Sequence, residues 1–571
     1  MSQSKLFTQA ARATIALFLV TAVACTGSVG NQQGQGDDDS DGGGSSAGSN
    51  GGGSASGGNG AGGTGAPDEL NACGPLPQRL WRLTPLQLEN VLKTLNTGTK
   101  DVAKALEPFV TDSGTASGLA LTVPHVETIV DKLGTQAAAV FTARKSLNSC
   151  LEGTPSDDCV KAAIEKLALK AFRRPPNAAE VDAYLNYYSA EKAIDGAEVA
   201  FRQMTQAILL SPNTLFRFEL GAKPDSGKVE LTGYEKASFL SFTLLDAPPD
   251  AELLEAAGKG ELDSKEGAAK QATRLLAAAE SGGALQRYFD EAMNVQAVTS
   301  VPKDEEAYPK FTDVIRTDML AEFRAFVKDV VWKGDGRLET LLTAPHTFLN
   351  KRLGAFYGLS GSTDDASWVK ADTAAQGRSG LLTLGAFLAT HGLENDTDII
   401  RRGRFVREQL LCDELPAPPA NVNAFPLPPD GVLTHRERLV AHSENPRCAV
   451  CHDLMDPLGF GLENFDGVGA YRTMDARAKK SLDVSGFLAE AEQKIAFDGA
   501  RGLAKVVLDQ PRAHTCFARK LEAFVTGRGL QEGGVCAADA AFVQDVRQEG
   551  VRGGLVRRFS DPAFWKRAVA N

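Results

Sequence analysis

The chain has 571 residues, of which 43% are hydrophobic and 7% are aromatic. This apolar content suffices for several buried cores and excludes a disordered protein. The chain carries 61 Lys and Arg against 72 Asp and Glu, a net charge of -11, which argues against a nucleic-acid-binding protein that grips phosphate backbones. We therefore expect three or more compact modules.

The first 25 residues have the layout of a secretory signal sequence. Lys5 and Arg12 precede an uncharged, mostly apolar run from residue 13 to residue 24, which is too short to span a bilayer comfortably. The run ends at Ala22-Val23-Ala24-Cys25, which is similar to the bacterial lipobox, where cleavage before a cysteine is followed by lipidation of that cysteine. We predict a signal peptide over residues 1–25 and lipid on Cys25, the alternative being a plain cleavage after Ala24.

Residues 26–66 have the composition of a flexible linker. Between Gly27 and Gly65, 17 of 39 residues are glycine, so little apolar area is present to offset the entropy of ordering. We expect this segment to tether a folded body to a membrane through an N-terminal lipid. The predicted location is therefore the periplasm or the cell surface.

After the linker, apolar residues recur at three- and four-residue intervals, while alternating strand-like runs are scarce. The sequence thus predicts a mainly α, multi-module protein. The clearest predicted helices cover residues 85–95, 178–190, 197–210, 234–245, 318–332 and 403–411. Thr84-Pro85 and Pro176-Asn177 have the residue types of helix N-caps.

Breaks in the helical pattern suggest the limits of five modules. Candidate boundaries lie from Pro224 to Gly227, from Gly358 to Asp365 and from Leu415 to Asp430, where six prolines rule out a continuous helix and separate two helical regions. We predict an N-terminal helical module over residues 67–150, a second over 151–222, a central module over 223–360, a cytochrome c-like module over 375–475 and a C-terminal helical module over 476–571.

The most specific chemical signal is Cys448-Ala449-Val450-Cys451-His452, a C-x-x-C-H pentapeptide. In an exported chain this pattern is typical of a c-type haem attachment site. The two thiols lie about one helical turn apart, as two thioether bonds to the haem vinyl groups require, and the next residue offers an imidazole to the iron. We predict one covalent haem c on Cys448 and Cys451, with His452 as the proximal ligand.

A redox disulfide of the thioredoxin type and half of a zinc site are the alternatives for this pentapeptide. A redox disulfide usually lies at the start of a helix in a βαβ unit, and a zinc site needs another ligand pair at similar spacing. Neither context is evident in the sequence. Asn445-Pro446 is expected to open the turn that carries the motif, and Asp456-Pro457 to close it.

The sixth iron ligand is not readable from the sequence. Met455 lies three residues after His452 and cannot easily reach the opposite haem face, whereas Met474 follows the turns at Gly467 and Gly469. We therefore name Met474 as the distal candidate. His391, His442 and His514 are further candidates, and a five-coordinate iron would favour small-molecule chemistry.

Six other cysteines remain in the predicted folded body. Local spacing favours disulfides between Cys150 and Cys159, which bracket a polar loop, and between Cys516 and Cys536. The partners of Cys73 and Cys412 are left open, and Cys412 follows two leucines as a buried thiol would.

Other catalytic signals are weak. The folded body has no G-x-S-x-G, H-E-x-x-H, Walker or dinucleotide-binding pattern. Glu463 and Asp466 form a carboxylate pair at helical spacing, although caps and salt bridges are the commoner roles of such pairs. Arg401, Arg402 and Arg404 could neutralise haem propionates or form a solvated helix start.

The chain from about Leu76 onward resembles the modular exported proteins of planctomycetes and myxobacteria that combine planctomycete cytochrome c domains with domains of unknown function. The segments that carry the resemblance are RLWRLT at 79–84, AFRRPP at 171–176, LLSPNTLFR at 209–217, TFLNKRLGAFYG at 347–358, CAVCHDLMDPLGFGLENFD at 448–466 and CFARKLEAFVTGR at 516–528. The last segment departs from the family, which more often has Tyr-Ala-Leu-Gly-Arg. The resemblance implies a haem-carrying cell-envelope protein and names no reaction.

Three functions are consistent with these observations. The first is a lipid-anchored monohaem electron carrier whose helical modules dock an unidentified redox partner. The second is a haem-dependent oxidative enzyme acting on an extracellular substrate, and the third is a surface binding or scaffold protein with a structural haem. Most of the chain precedes the motif, which is more protein than a simple carrier needs, so whether the protein is an enzyme stays open at this point.

Overall fold

The computed structural model describes residues 74–95, 102, 104, 123–153, 155–415, 433–443, 446–491, 493–527 and 537–569. These residues are mainly α-helical, which confirms the predicted fold class. The helices of the first half are α1 (Pro85–Lys93), α2 (Val123–Thr142), α3 (Asp157–Phe172), α4 (Ala178–Leu210), α5 (Pro212–Leu215), α6 (Gly233–Leu245), α7 (Ala251–Gly258), α8 (Lys265–Ala278) and α9 (Ala284–Ala292). Those of the second half are α10 (Asp313–Lys328), α11 (Leu338–Thr343), α12 (Lys351–Tyr357), α13 (Gly385–Thr390), α14 (Ile399–Phe405), α15 (His435–Ser443), α16 (Pro446–Phe460), α17 (Gly499–Leu508), α18 (Pro511–Thr526) and α19 (Ala537–Ser560).

The predicted helix caps are present. Thr84 and Gln87 form a capping box at the start of α1, because the Thr84 hydroxyl accepts from the Gln87 amide while the Gln87 side chain accepts from the Thr84 amide. Asn177 and Glu180 form the same arrangement at the start of α4. These local hydrogen bonds satisfy amides that have no partner inside the helix.

The interior of α4 shows why two helices are predicted there. Gly196 has φ of +86°, outside the helical region, so the long helix is broken into two segments at this residue. The first segment runs past the predicted end at Ala190, since no residue before Gly196 interrupts the helical backbone. Two other helices end in π-helical turns, over Asp329–Lys333 after α10 and over Val406–Leu410 after α14.

Short strands join distant parts of the chain. A four-stranded sheet has the order β1-β10-β5-β4, formed by β1 (Leu76–Pro77), β4 (Ala222–Asp225), β5 (Lys228–Glu230) and β10 (Lys566–Ala568). Leu76 pairs in parallel with Arg567, so the first and last strands lie side by side.

Three two-stranded antiparallel pairs complete the strands of the described residues. They are β2 (Arg79–Arg82) with β3 (Phe216–Glu219), β6 (His346–Leu349) with β7 (Val369–Asp372), and β8 (Ser485–Ala489) with β9 (Lys494–Asp498). In the first pair Trp81 lies opposite Arg217, and Arg79 lies opposite Glu219. The first predicted module therefore contacts the end of the second through a strand pair.

The central, cytochrome c-like and C-terminal predicted modules contribute side chains to one hydrophobic core. A cluster of buried side chains runs from Leu231 to Trp565, and the described residues belong to one compact unit. Phe239 packs edge to face with Phe559, Phe564 and Trp565, which ties α6 to the C-terminal end of the chain. In the described part of the chain, no helix is both long enough and apolar enough to cross a membrane.

The disulfides correct one of the two predicted pairings. Cys150 and Cys159 are bonded as predicted, across the loop that precedes α3. Cys516 is bonded to Cys412 rather than to Cys536. Cys516 faces inward from α18, and the chain after α14 brings Cys412 to a Cα–Cα distance of 5.5 Å from it. The predicted partner Cys536 and the unassigned Cys73 lie outside the described residues.

Candidate functional site

The C-x-x-C-H motif lies in the first turns of α16. Cys448 is buried, Cys451 is partly exposed, and the structure gives both as free thiols. The two cysteines are three residues apart on a helix, a spacing that places their Cβ atoms on one face. Two thioether bonds to a single haem require two unbonded thiols on the same helical face, and this pair meets that requirement.

His452 follows directly and is oriented by a carboxylate of the same helix. Its Nδ1 lies 2.9 Å from Oδ2 of Asp456, one turn further along α16, and the Asp456 side chain is 5% exposed. This hydrogen bond raises the pKa of His452 above its usual value, against the opposing effect of burial. Because Nδ1 is engaged by Asp456, ligation of a metal by this ring would use Nε2.

Two valines, one in the motif and one on the neighbouring helix, are exposed. Val450, between the two cysteines, is 63% exposed, and Val440 on the neighbouring helix α15 is 51% exposed. One of these exposed apolar side chains thus lies within the motif itself and the other on the helix that packs against it.

The motif helix is held by close backbone contact with α14. A Cβ atom on Gly403 would lie 1.9 Å from the carbonyl oxygen of Met455, and one on Gly459 would lie 2.1 Å from that of Ile399. Glycine at both positions therefore permits the two helices to cross in backbone contact. The buried Arg407 adds a hydrogen bond from Nε to the carbonyl of Leu454, 3.0 Å away.

This contact also explains one departure from the sequence-based expectation. Asp456-Pro457 does not close the turn, because α16 continues through Pro457 to Phe460. Proline removes one helical hydrogen bond, a cost that ordinarily ends a helix. Here Gly459 and Leu458, which lie beyond the proline, are packed against α14 and the core, and this packing keeps the helix continuous.

The candidate distal ligands are dispersed. Met474 is 50% exposed in a short bridge with Ser481, and Met455 is buried on α16 itself. His391 is buried, stacks on Phe387 at 4.3 Å and places Nδ1 2.9 Å from the Phe387 carbonyl. Burial lowers the pKa of His391 to about 4. His391 is therefore engaged in the core as a neutral ring.

The other two histidine candidates add little to the site. Nε2 of His514 lies 3.2 Å from the Leu508 carbonyl, at the junction of α17 and α18. The side chain of His442 lies outside the described residues. In the described part of the chain, no three His, Cys, Asp or Glu side chains converge as a metal site. A haem site needs no such cluster, since one imidazole and two thiols hold the group.

The arginines after Asp398 do not form a common propionate-binding cluster. Arg402 is fully buried, and its guanidinium donates to the carbonyls of His391, Leu388, Leu462, Phe465 and Asp466. Arg401 and Arg404 are exposed and pair with Asp398 and Glu408 on their own helical segment. Arg402 thus holds the segment that follows α16 against α14 through hydrogen bonds to its carbonyls. Helical periodicity alone does not reveal this role.

The two carboxylates suggested by the sequence have structural roles. Glu463 accepts a hydrogen bond from Arg472 at 2.9 Å, and Asp466 accepts from the amides of Val468 and Ala470. Burial raises the pKa of Asp466, with these amide bonds acting in the opposite direction. They are a salt-bridge partner and a turn cap rather than an acid/base pair.

A polar cluster missed in the sequence lies at the start of α15. Nδ1 of His435 is 3.0 Å from the Thr397 hydroxyl and 3.7 Å from Asp396, while Arg438 and Arg477 contact the same Asp396 carboxylate. The only local sequence signal is the i, i+3 spacing of His435 and Arg438 on one helix. The cluster anchors α15, and hence one side of the motif helix, to the loop before α14.

Three stretches of the chain match known family models. Residues 159–219 match PSD5, a protein of unknown function (DUF1595), residues 231–359 match PSD4, a protein of unknown function (DUF1592), and residues 378–475 match PSCyt3, a protein of unknown function (DUF1588). No curated protein and no solved structure matches the chain.

These are the planctomycete cytochrome-type families, so the chain carries three domains of that modular group. The PSCyt3 match contains α14, α15 and α16, and therefore the complete C-x-x-C-H motif.

Proposed function

We propose that the protein is an exported lipoprotein that carries one covalent haem c and functions in extracytoplasmic electron transfer. The observation that carries the proposal is the geometry of α16, where two free thiols and a carboxylate-oriented imidazole lie within five residues of one helix. The name of the PSCyt3 family, whose model covers this helix, supports the same assignment.

Each residue of the motif has a separate task in this proposal. Cys448 and Cys451 attach the group through thioether bonds, and Nε2 of His452 ligates the iron. Asp456 holds Nδ1 and keeps the ring in one orientation. Bound haem supplies one-electron redox chemistry.

A haem assay tests the proposal directly. The chain is exported in a host with c-type maturation machinery, and a reduced pyridine haemochrome spectrum is recorded. We expect one covalent haem per chain in the native protein and none in the Cys448→Ala/Cys451→Ala variant. Cys150→Ser/Cys159→Ser removes two cysteines elsewhere and is the matched control, which should keep the haem. A native protein without haem would refute the proposal.

The spin state separates the carrier from an oxidative enzyme. Met474, the sequence candidate for the distal position, is half-exposed, which is the observation that keeps an open iron position as a second candidate. A carrier should give a low-spin spectrum that does not change on addition of cyanide or peroxide. A high-spin spectrum that responds to either reagent would favour the enzyme.

Anchoring is a separate part of the proposal and rests on Ala22–Cys25 and the glycine-rich segment that follows. Mass spectrometry of the mature protein should find a lipid-modified Cys25 at the N-terminus. The Cys25→Ser variant should lose membrane association while keeping haem. An unmodified Cys25 or Thr26 at the N-terminus would contradict lipid anchoring.

A further inference from the structure

A cleft away from the haem motif lies between the β2–β3 strand pair and four helices. It is lined by side chains of β2 and α1, by Arg217 of β3, and by residues of α6, α9 and the end of α18. The cavity volume is about 70 Å³, several times the volume that one water molecule needs, and the cavity is partly open to solvent. The aromatic part of its wall is Trp81, Phe242 and Phe524.

The region behind this cleft carries an excess of buried positive charge. Arg79, Arg217 and Arg567 all form their ion pairs with one carboxylate, Glu219, which is fully buried. Arg173 adds a fourth buried guanidinium that donates to backbone carbonyls. Burial, with the charge of Arg217 nearby, lowers the pKa of Arg173 to about 9. Buried charges without partners are costly, so this arrangement favours an additional anion.

Hydrogen-bond donors of the cleft residues are left without acceptors. Arg82 forms no side-chain hydrogen bond or ion pair with any described residue, and burial alone lowers its pKa. Trp81 and Arg217 are each 7% exposed, and Nε1 of the first and Nε of the second have no hydrogen-bond partner among the described residues. Buried polar groups are nearly always satisfied in folded proteins, so the two buried donors, Trp81 Nε1 and Arg217 Nε, indicate a missing acceptor, and the half-buried Arg82 lines the same cleft.

The remaining groups of the cleft set the character of that acceptor. Arg287 is already matched, since it pairs with Asp246 at 2.9 Å and with Glu291 at 3.0 Å. The Thr243 hydroxyl lies 3.4 Å from Nη1 of Arg217 and adds a polar group to the wall. Guanidinium groups are suited to planar or tetrahedral oxyanions, because their N–H groups form two parallel bonds to the anion oxygens.

We propose that this cleft is a binding site for the oxyanion group, a carboxylate or a phosphate, of a small ligand, held by Arg82, Trp81 Nε1 and Arg217. The aromatic wall packs against the body of that ligand. The inference is independent of haem attachment, because none of its residues lies in or beside the motif helix.

Isothermal titration of the purified full-length protein tests the site with two probes, sodium phosphate and sodium benzoate, each against sodium chloride at equal ionic strength. We expect saturable binding of at least one probe and none of chloride. Binding of phosphate alone identifies a phosphate-bearing ligand, and binding of benzoate alone identifies a carboxylate-bearing one.

Arg82→Gln should weaken the bound probe at least about tenfold, the loss expected when a charged hydrogen bond is removed. The matched control is Arg202→Gln, which removes an exposed arginine of α4 whose ion-pair partner among the described residues is Glu198, and it should leave affinity unchanged. Trp81→Phe keeps an aromatic ring and removes Nε1–H, so it should also weaken binding. It provides the comparison if Arg82→Gln does not fold. Absence of binding at millimolar probe, or affinity unchanged in the cleft variants, would overturn the proposal.

Discussion

Nδ1 of His452 lies 2.9 Å from Oδ2 of Asp456, one helical turn further along the motif helix. A carboxylate in this position fixes the tautomer and orientation of a ligating imidazole and increases its basicity. The arrangement needs no residue from elsewhere in the chain, because the i, i+4 spacing on a helix brings the two side chains together.

Replacement of Asp456 by Asn is therefore expected to raise the reduction potential of the bound haem, since a neutral amide makes His452 a weaker electron donor to iron. Asp453→Asn is the matched control, because it removes the same charge from an exposed position next to His452. A redox titration of the two variants measures the difference. Equal potentials in the two variants would show that Asp456 has only a structural role.

Gly403→Ala is expected to separate α14 from α16. The new Cβ would lie 1.9 Å from the Met455 carbonyl, and neither backbone can move without disturbing the core. We expect a loss of about 1–3 kcal/mol in the free energy of unfolding and a lower haem content. Gly74→Ala, where a Cβ meets nothing within 4 Å, should leave both unchanged in denaturant titrations and haem assays.

The Cys412–Cys516 disulfide should contribute more stability than the Cys150–Cys159 disulfide. The first spans 104 residues and the second spans nine, and a longer loop restricts the unfolded chain more. On the chain-entropy model the double serine variants should lose about 4.7 and about 2.6 kcal/mol, respectively. Denaturant titration of both variants provides the comparison.

Peptide mapping without reduction checks the pairing itself. It should recover Cys412 and Cys516 in one cross-linked species. A species that joins Cys516 to Cys536 instead would contradict the structure.

His391 should make the stability of the protein sensitive to mild acid. Burial lowers its pKa to about 4, whereas the unfolded chain has the ordinary value of 6.5. Between these pH values the unfolded state binds more protons than the folded state. The contribution of His391 to the free energy of unfolding is therefore complete above pH 6.5 and is lost as the pH falls to about 4. The full contribution is about 3 kcal/mol.

The His391→Gln variant isolates this effect. Denaturant titration measures the free energy of unfolding of this variant and of the native protein. The deficit of the variant should shrink as the pH is lowered from 7 to about 4. A difference that stays constant over this range would contradict a buried neutral histidine.

Local patterns in the sequence account for much of the secondary structure. The capping boxes at Thr84 and Asn177, the break at Gly196 and the bond between Cys150 and Cys159 all depend on residues within a few positions of one another. The motif helix belongs to the same class, although its continuation through Pro457 required packing against α14.

Long-range pairings were beyond such patterns. The sequence does not distinguish Arg402, which is buried among five carbonyls, from Arg401 and Arg404, which are exposed on the same helix. Likewise, Cys516 has a nearer cysteine in the chain, and only the path of the chain after α14 brings Cys412 to it.

The sequence by itself determined the helical class, the caps and the presence of two cysteines and a histidine at haem-attachment spacing, because these depend on side-chain periodicity and on contacts within one or two turns. The tertiary structure decided which arginines are buried, that the first strand pairs with the last, and that Glu219 receives guanidinium groups from residues 79, 217 and 567. Those outcomes depend on which distant segments of the chain pack together. Once the segments are buried, each polar group must find a partner, because an unpaired buried polar group costs free energy.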